Sequence, residues 1–194
     1  MSTLIDVLRV VHVISAVLMA WPFYALVAVN QRVRLGQPLG DRLDTYLENL
    51  IKNRAIPCYV FQATVFLTGL ALVFLRNQNL SAFITYPTLG VKFLLLLVII
   101  SLLSYVYFNL HPKIDSLFVE GGNPVRAEIA PRISALRSRR KQMASFCLFA
   151  VLTNAMLGMQ TWVSFPLWLT GFLVLMIALF TWRAYTSITA YGWV

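Results

Sequence analysis

One histidine, His12, lies about a third of the way along an apolar stretch long enough to cross a bilayer, residues 4–29, and is the only histidine the chain commits to hydrocarbon. An ionisable side chain at that depth is costly and marks a site. Asp6, Arg9 and His12 follow one another at i, i+3 and i+6, so a helix sets them on one face, continued by Ser15 and Met19. An imidazole with a cation on the same stripe suits a b-type haem: the ring nitrogen ligates iron and the cation faces a propionate. The bundle-holding alternative uses the same residues. His12 then hydrogen-bonds across to Asn154, and Arg9 with Asp6 forms an interfacial ion pair.

Such a site needs elements to hold it, and the composition says which. Hydrophobic residues make up 59% of the chain and charged residues 12%, against roughly 25% charged in a soluble domain. Five segments are apolar over the ~20 residues a spanning helix requires: 4–29, 56–75, 89–110, 143–163 and 167–186. Ten-residue alternation is missing, which excludes a membrane β-barrel. The expected fold is an all-α integral membrane protein, a four-helix bundle plus one extra C-terminal span, in a single domain over residues 1–194. The first segment has no cationic leader and no small-residue cleavage pattern, so it reads as a retained span.

The net charge of +9 is distributed by loop. Arg32, Arg34, Arg42, Lys52 and Arg54 precede the second span; Lys113, Arg126, Arg132, Arg137, Arg139, Arg140 and Lys141 lie between the third and fourth. The opposite loops hold only Arg76. The positive-inside rule then places the N-terminus outside and the C-terminus in the cytoplasm, across a cell inner (plasma) membrane. Topology accounts for these charges, and with no recognised motif they do not point to nucleic acid. The lipid bilayer is the expected partner, with other membrane subunits or a second copy beside it. Leu43, Leu47, Leu50 and Ile51 recur at helical spacing, which suggests a short amphipathic helix lying on the inner surface. The run Arg137 to Lys141 reads as a stop at the lipid boundary. Turns are expected at 36–40 and 121–124, and Trp162 and Trp193 belong to interfacial belts.

A rise of about 1.5 Å per residue turns position into depth. His12 comes out about 12 Å below the outer start of its span, Lys92 about 5 Å below the outer edge, Asn154 near the depth of His12 and Gln160 near that of Lys92. Thr64 and Thr68 approach the same half. His111 differs from His12 by roughly 20 Å, too far to ligate the opposite face of one haem. Lys92, Met156, Met159 or an open position remain for that role. No paired intramembrane carboxylates, nucleotide loop or zinc-helix spacing is present. Cys58 and Cys147 lack metal-ligand spacing and read as small buried residues.

Certain landmarks run together in order: Leu8-Arg9-Val10-Val11-His12 in the first span, Asn53-Arg54-Ala55-Ile56-Pro57 opening the second, and Gly90-Val91-Lys92-Phe93-Leu94 opening a leucine-rich third. Over roughly residues 4–162 the chain resembles the small haem-b membrane proteins around the HemJ type of protoporphyrinogen oxidase and the wider CopD-like group. The resemblance implies haem b held by the residues at His12, Arg54 and Lys92. It also implies redox work: porphyrinogen oxidation, or electron transfer to a quinone or respiratory chain. Two positions depart from the family. Gly90 stands where a histidine is often found, and Tyr105-Val106-Tyr107 replaces a tyrosine–histidine pair. A fifth span is extra. A cofactor-free structural or accessory subunit of a respiratory or photosynthetic complex is therefore the competing expectation.

Overall fold

The structure, a computed structural model, describes residues 2–22, 29, 39–76, 81–122, 125–160, 163 and 165–186. The 23–28 part of the first apolar segment, Arg32 and Arg34, the turn residues 36–38, Asn123, Pro124, Trp162 and Trp193 lie outside them. The regular structure of the described residues is all helical, with no strand among them. In chain order the helices are α1 (Ser2–Leu18), α2 (Arg42–Lys52), α3 (Ala55–Leu75), the single turn α4 (Ala82–Thr85), α5 (Pro87–Tyr105), a π-helical turn (Val106–Leu110), α6 (His111–Gly121), α7 (Ala130–Met159) and α8 (Leu167–Thr186). Among the described residues, four stretches are long and apolar enough to cross a membrane: Arg42–Leu75, Pro87–Gly121, Ala130–Met159 and Leu167–Thr186. The described helix at the N-terminus, α1, is 17 residues long.

Helices follow where the local chemistry allows them to start and stop. Pro87 and Pro131 sit in the first turns of α5 and α7, where a missing N–H costs nothing. Asp41 caps α2 through a hydrogen bond from the Leu43 N–H. Gly122 ends α6 at φ 72°, a left-handed conformation suited to glycine.

Neighbours in sequence pack as antiparallel neighbours in space. At opposite ends of the α1–α3 pair, His12 meets Gly69 and Trp21 meets Arg54. Tyr59 with Ser104, and Phe66 with Phe93, pin α3 to α5 in the same sense. Lys92 with Gly158, and Tyr105 with Arg139, pin α5 to α7. Gln160 with Thr170, and Gln142 with Tyr185, pin α7 to α8. The helices α1, α3, α5 and α7 thus form an up-down four-helix bundle, and α8 leans on α7 from outside. Met19, Cys58, Val65, Leu96, Ile99, Cys147, Ala150 and Val151 fill its centre. Cys58 and Cys147 are both buried and free. A smaller cluster of Leu117, Ile129 and Ile133 joins α6 to the start of α7.

The short helix expected from the spacing of Leu43, Leu47, Leu50 and Ile51 is present as α2. Its most buried residues are nevertheless Asp44 and Glu48, while those four apolar residues are half-buried. Within the basic run read as a stop at the lipid boundary, Arg137 and Arg140 are turned inward onto those acids.

Candidate functional site

The stripe on α1 is the face that meets the bundle: Arg9 and His12 are half-buried, Ser15 and Met19 buried, while Val10, Val13, Ile14 and Val17 are exposed. His12 reaches α3, where its Nδ1 lies 2.8 Å from Thr68 Oγ1. The Thr68 hydroxyl has one proton, and its 2.6 Å bond to the Thr64 carbonyl takes it. With its proton on that carbonyl, Oγ1 faces Nδ1 as an acceptor, the arrangement that suits an Nδ1–H imidazole with its lone pair on Nε2. The partner of His12 is thus Thr68 and not Asn154. Gly69 allows the approach: a Cβ there would stand 3.3 Å from His12 Cε1.

Lys92 joins this layer from α5. Its Nζ turns into the bundle, 3.6 Å from where a Cβ on Gly158 of α7 would lie. The depth arithmetic put Lys92 about 7 Å nearer the outer edge than His12, little more than one turn of rise; α5 starts at Pro87, which carries Lys92 about 3 Å deeper than a start at Leu89 would. Gln160 is turned away, donating to Thr170 of α8 at 2.7 Å. Asn154 stays in the bundle about one turn below Gly158, and its Oδ1 is buried without a hydrogen-bond partner. Arg9 sits one turn above His12 and pairs with Asp6 at 3.1 Å.

Arg54 stands apart. It begins α3 and lies over the Trp21 ring at 4.5 Å, about 14 Å along α1 from His12. The site residues expected from sequence therefore fall into two places: Arg9, His12, Lys92 and Asn154 in one half of the bundle, Arg54 in the other. Sequence reasoning missed Gly69 and Gly158. Glycines in apolar helices at the level of polar residues were the available signal, since they permit close approach.

A second polar constellation lies at the basic end. Arg137 meets both Asp44, at 2.9 Å, and Glu48, at 3.0 Å; Arg140 grips Glu48 with both terminal nitrogens. Arg137 also stacks over Phe118 at 4.9 Å. Beside this cluster His111 is buried, both ring nitrogens without a hydrogen-bond partner, its ring set edge-on to Tyr107. Lys52 pairs with Asp115 nearby. The four central charges balance, which fits a tie between helices better than a seat for a charged ligand.

No group of three or more His, Cys, Asp and Glu among the described residues is placed to hold a bare metal ion. One imidazole with its Nδ1–H anchored and its Nε2 lone pair available is the ligand a haem requires. Lys92 and Arg9 supply cations near it.

The architecture and this layer define an all-helical protein with membrane-length helices and a polar, histidine-centred layer in one half of its bundle. No family model, no curated protein and no solved structure matches the chain.

Proposed function

We propose that the chain is a five-span protein of the plasma membrane, N-terminus outside and C-terminus inside, that binds haem b through His12 and serves redox chemistry. The observation that carries this reading is the His12–Thr68 hydrogen bond, which fixes the ring and commits Nδ1–H while leaving Nε2 as a ligand. Residues 4–29 form the first span, with α3, α5, α7 and α8 as the others. A bound haem b supplies one-electron transfer. The chain's residues do the rest: Thr68 and Gly69 hold the imidazole, Lys92 and Arg9 offer positive charge to carboxylates, and the apolar helices exclude water. In the enzyme version the substrate is a porphyrinogen and the electrons leave to a quinone or respiratory chain. In the carrier version the protein only relays electrons.

The second reading is a cofactor-free accessory subunit of a membrane complex. It is favoured by α8, whose Leu167, Trp168, Phe172, Leu175, Leu179 and Trp182 are all more than half exposed and offer an apolar face to a neighbour. On this reading the His12–Thr68 hydrogen bond and the rest of the layer hold the bundle in register.

A reduced-minus-oxidised spectrum of the purified protein separates the two. A b-type alpha band abolished by His12→Ala supports the haem reading; a colourless, folded protein that fully occupies its complex overturns it. Rescue of a cell lacking protoporphyrinogen oxidase then separates enzyme from carrier.

A further inference from the structure

Between α7 and α8 runs a groove of about 370 Å³ whose two ends differ in chemistry. Phe146, Phe149, Ala178 and Trp182 form an apolar floor and walls. At the other end stand Gln142 and Tyr185, hydrogen-bonded to each other at 3.3 Å. Lys141 Nζ lies 4.9 Å from the centre of the Tyr185 ring, which holds a cation at that mouth. The chain contains no Asp or Glu after Glu128, so the α7–α8 hairpin carries only positive side chains of its own. Arg137 and Arg140 are neutralised by Asp44 and Glu48 of α2, on another side of α7. The groove's mouth receives no such acid from the hairpin.

We infer that this groove is a binding site for one anionic phospholipid, its acyl chain along Phe146, Phe149 and Trp182 and its phosphate at Lys141, Gln142 and Tyr185. Residues 142 and 149 are about 10 Å apart along α7, so the apolar part takes the upper segment of a chain while the headgroup stays at the polar end. Charge selects the lipid: a basic side chain near a bilayer surface favours an anionic headgroup by about five-fold. A second copy or a partner helix fits less well, because the cationic mouth would then be buried without a counter-charge. The site rests on the membrane-spanning reading and is independent of haem.

The full-length protein, purified in mild detergent from nanodiscs containing phosphatidylcholine and phosphatidylglycerol in a 3:1 ratio, tests this by headgroup-resolved mass spectrometry of the lipid that stays bound. Phosphatidylglycerol is expected several-fold above its bulk share. Lys141→Gln lowers that enrichment about five-fold, and Ala178→Phe, which fills the apolar end, lowers total retained lipid. Arg76→Gln, at the far end of α3, changes neither. Retention at the bulk ratio in the wild-type protein overturns the site, as does enrichment that both groove variants leave unchanged.

Discussion

Glu48 and Arg140, 92 residues apart, meet as a two-point ion pair in which both residues are at least 96% buried, Arg137 closing on the same carboxylate. Two charges withdrawn from water this far are stable only together.

Removing one partner therefore leaves the other uncompensated. Glu48→Ala is expected to cost about 3–5 kcal/mol, lowering the melting temperature in detergent by roughly 6–20 °C. Glu48→Met with Arg140→Met, which removes both charges at similar volume, recovers most of that loss. Thermal unfolding followed by circular dichroism reads both. A single variant as stable as the parent means that water reaches the pair.

The Lys52–Asp115 pair joins the same regions, yet its side chains are 27% and 45% exposed. Solvent screens it, so Asp115→Asn should change stability by no more than about 1 kcal/mol, and added salt should shrink even that. A loss as large as that of Glu48→Ala contradicts the distinction drawn between them.

Thr68 acts through His12. Thr68→Val removes the acceptor of Nδ1–H at nearly constant volume, and haem retention should fall about 10- to 100-fold with the helical signal intact. Thr68→Ser restores retention. An unchanged absorbance spectrum and unchanged retention in Thr68→Val would sink the role assigned to this hydroxyl.

At Gly90 any side chain meets a steric obstacle. A Cβ there would lie 2.4 Å from the Phe83 carbonyl oxygen of α4, a backbone atom that cannot swing aside. Gly90→His is therefore expected to cost about 1–3 kcal/mol and to add no second axial ligand. A more stable variant with a bis-histidine spectrum would show that α4 yields.

Much of this fold is readable from the chain because its signals are local. The uncharged run from Phe93 to Leu103, apolar but for Ser101, admits only a buried or spanning helix, and α8 runs over 167–186, the segment its hydropathy marks. The α1 stripe followed from helical period alone. Other features were settled by partners far along the chain. Asp44 and Glu48 look like the solvated face of an amphipathic helix until Arg137 and Arg140 are set beside them; the i, i+4 acids and i, i+3 arginines match in pitch, but spacing cannot say that they meet. Depth arithmetic located Lys92 and His12 from separate helix starts, so any offset between α1 and α5 passed directly into the result. Thr68 was visible as a polar residue at the right depth. Its part as the acceptor for His12 required knowing that the hydroxyl proton was already taken by Thr64.

The π-helical turn at Val106–Leu110 has one last consequence. Such a turn carries one residue more than an α-turn, and each residue added or removed rotates everything beyond it by about 100°. Leu117 of α6 packs with Ile133 of α7 in the register that this extra residue sets. The segment is thus a frame-setting device. A one-residue deletion within 106–110 would straighten the helix and swing His111, Asp115 and Leu117 off their neighbours, whereas the same deletion in an exposed loop would be absorbed.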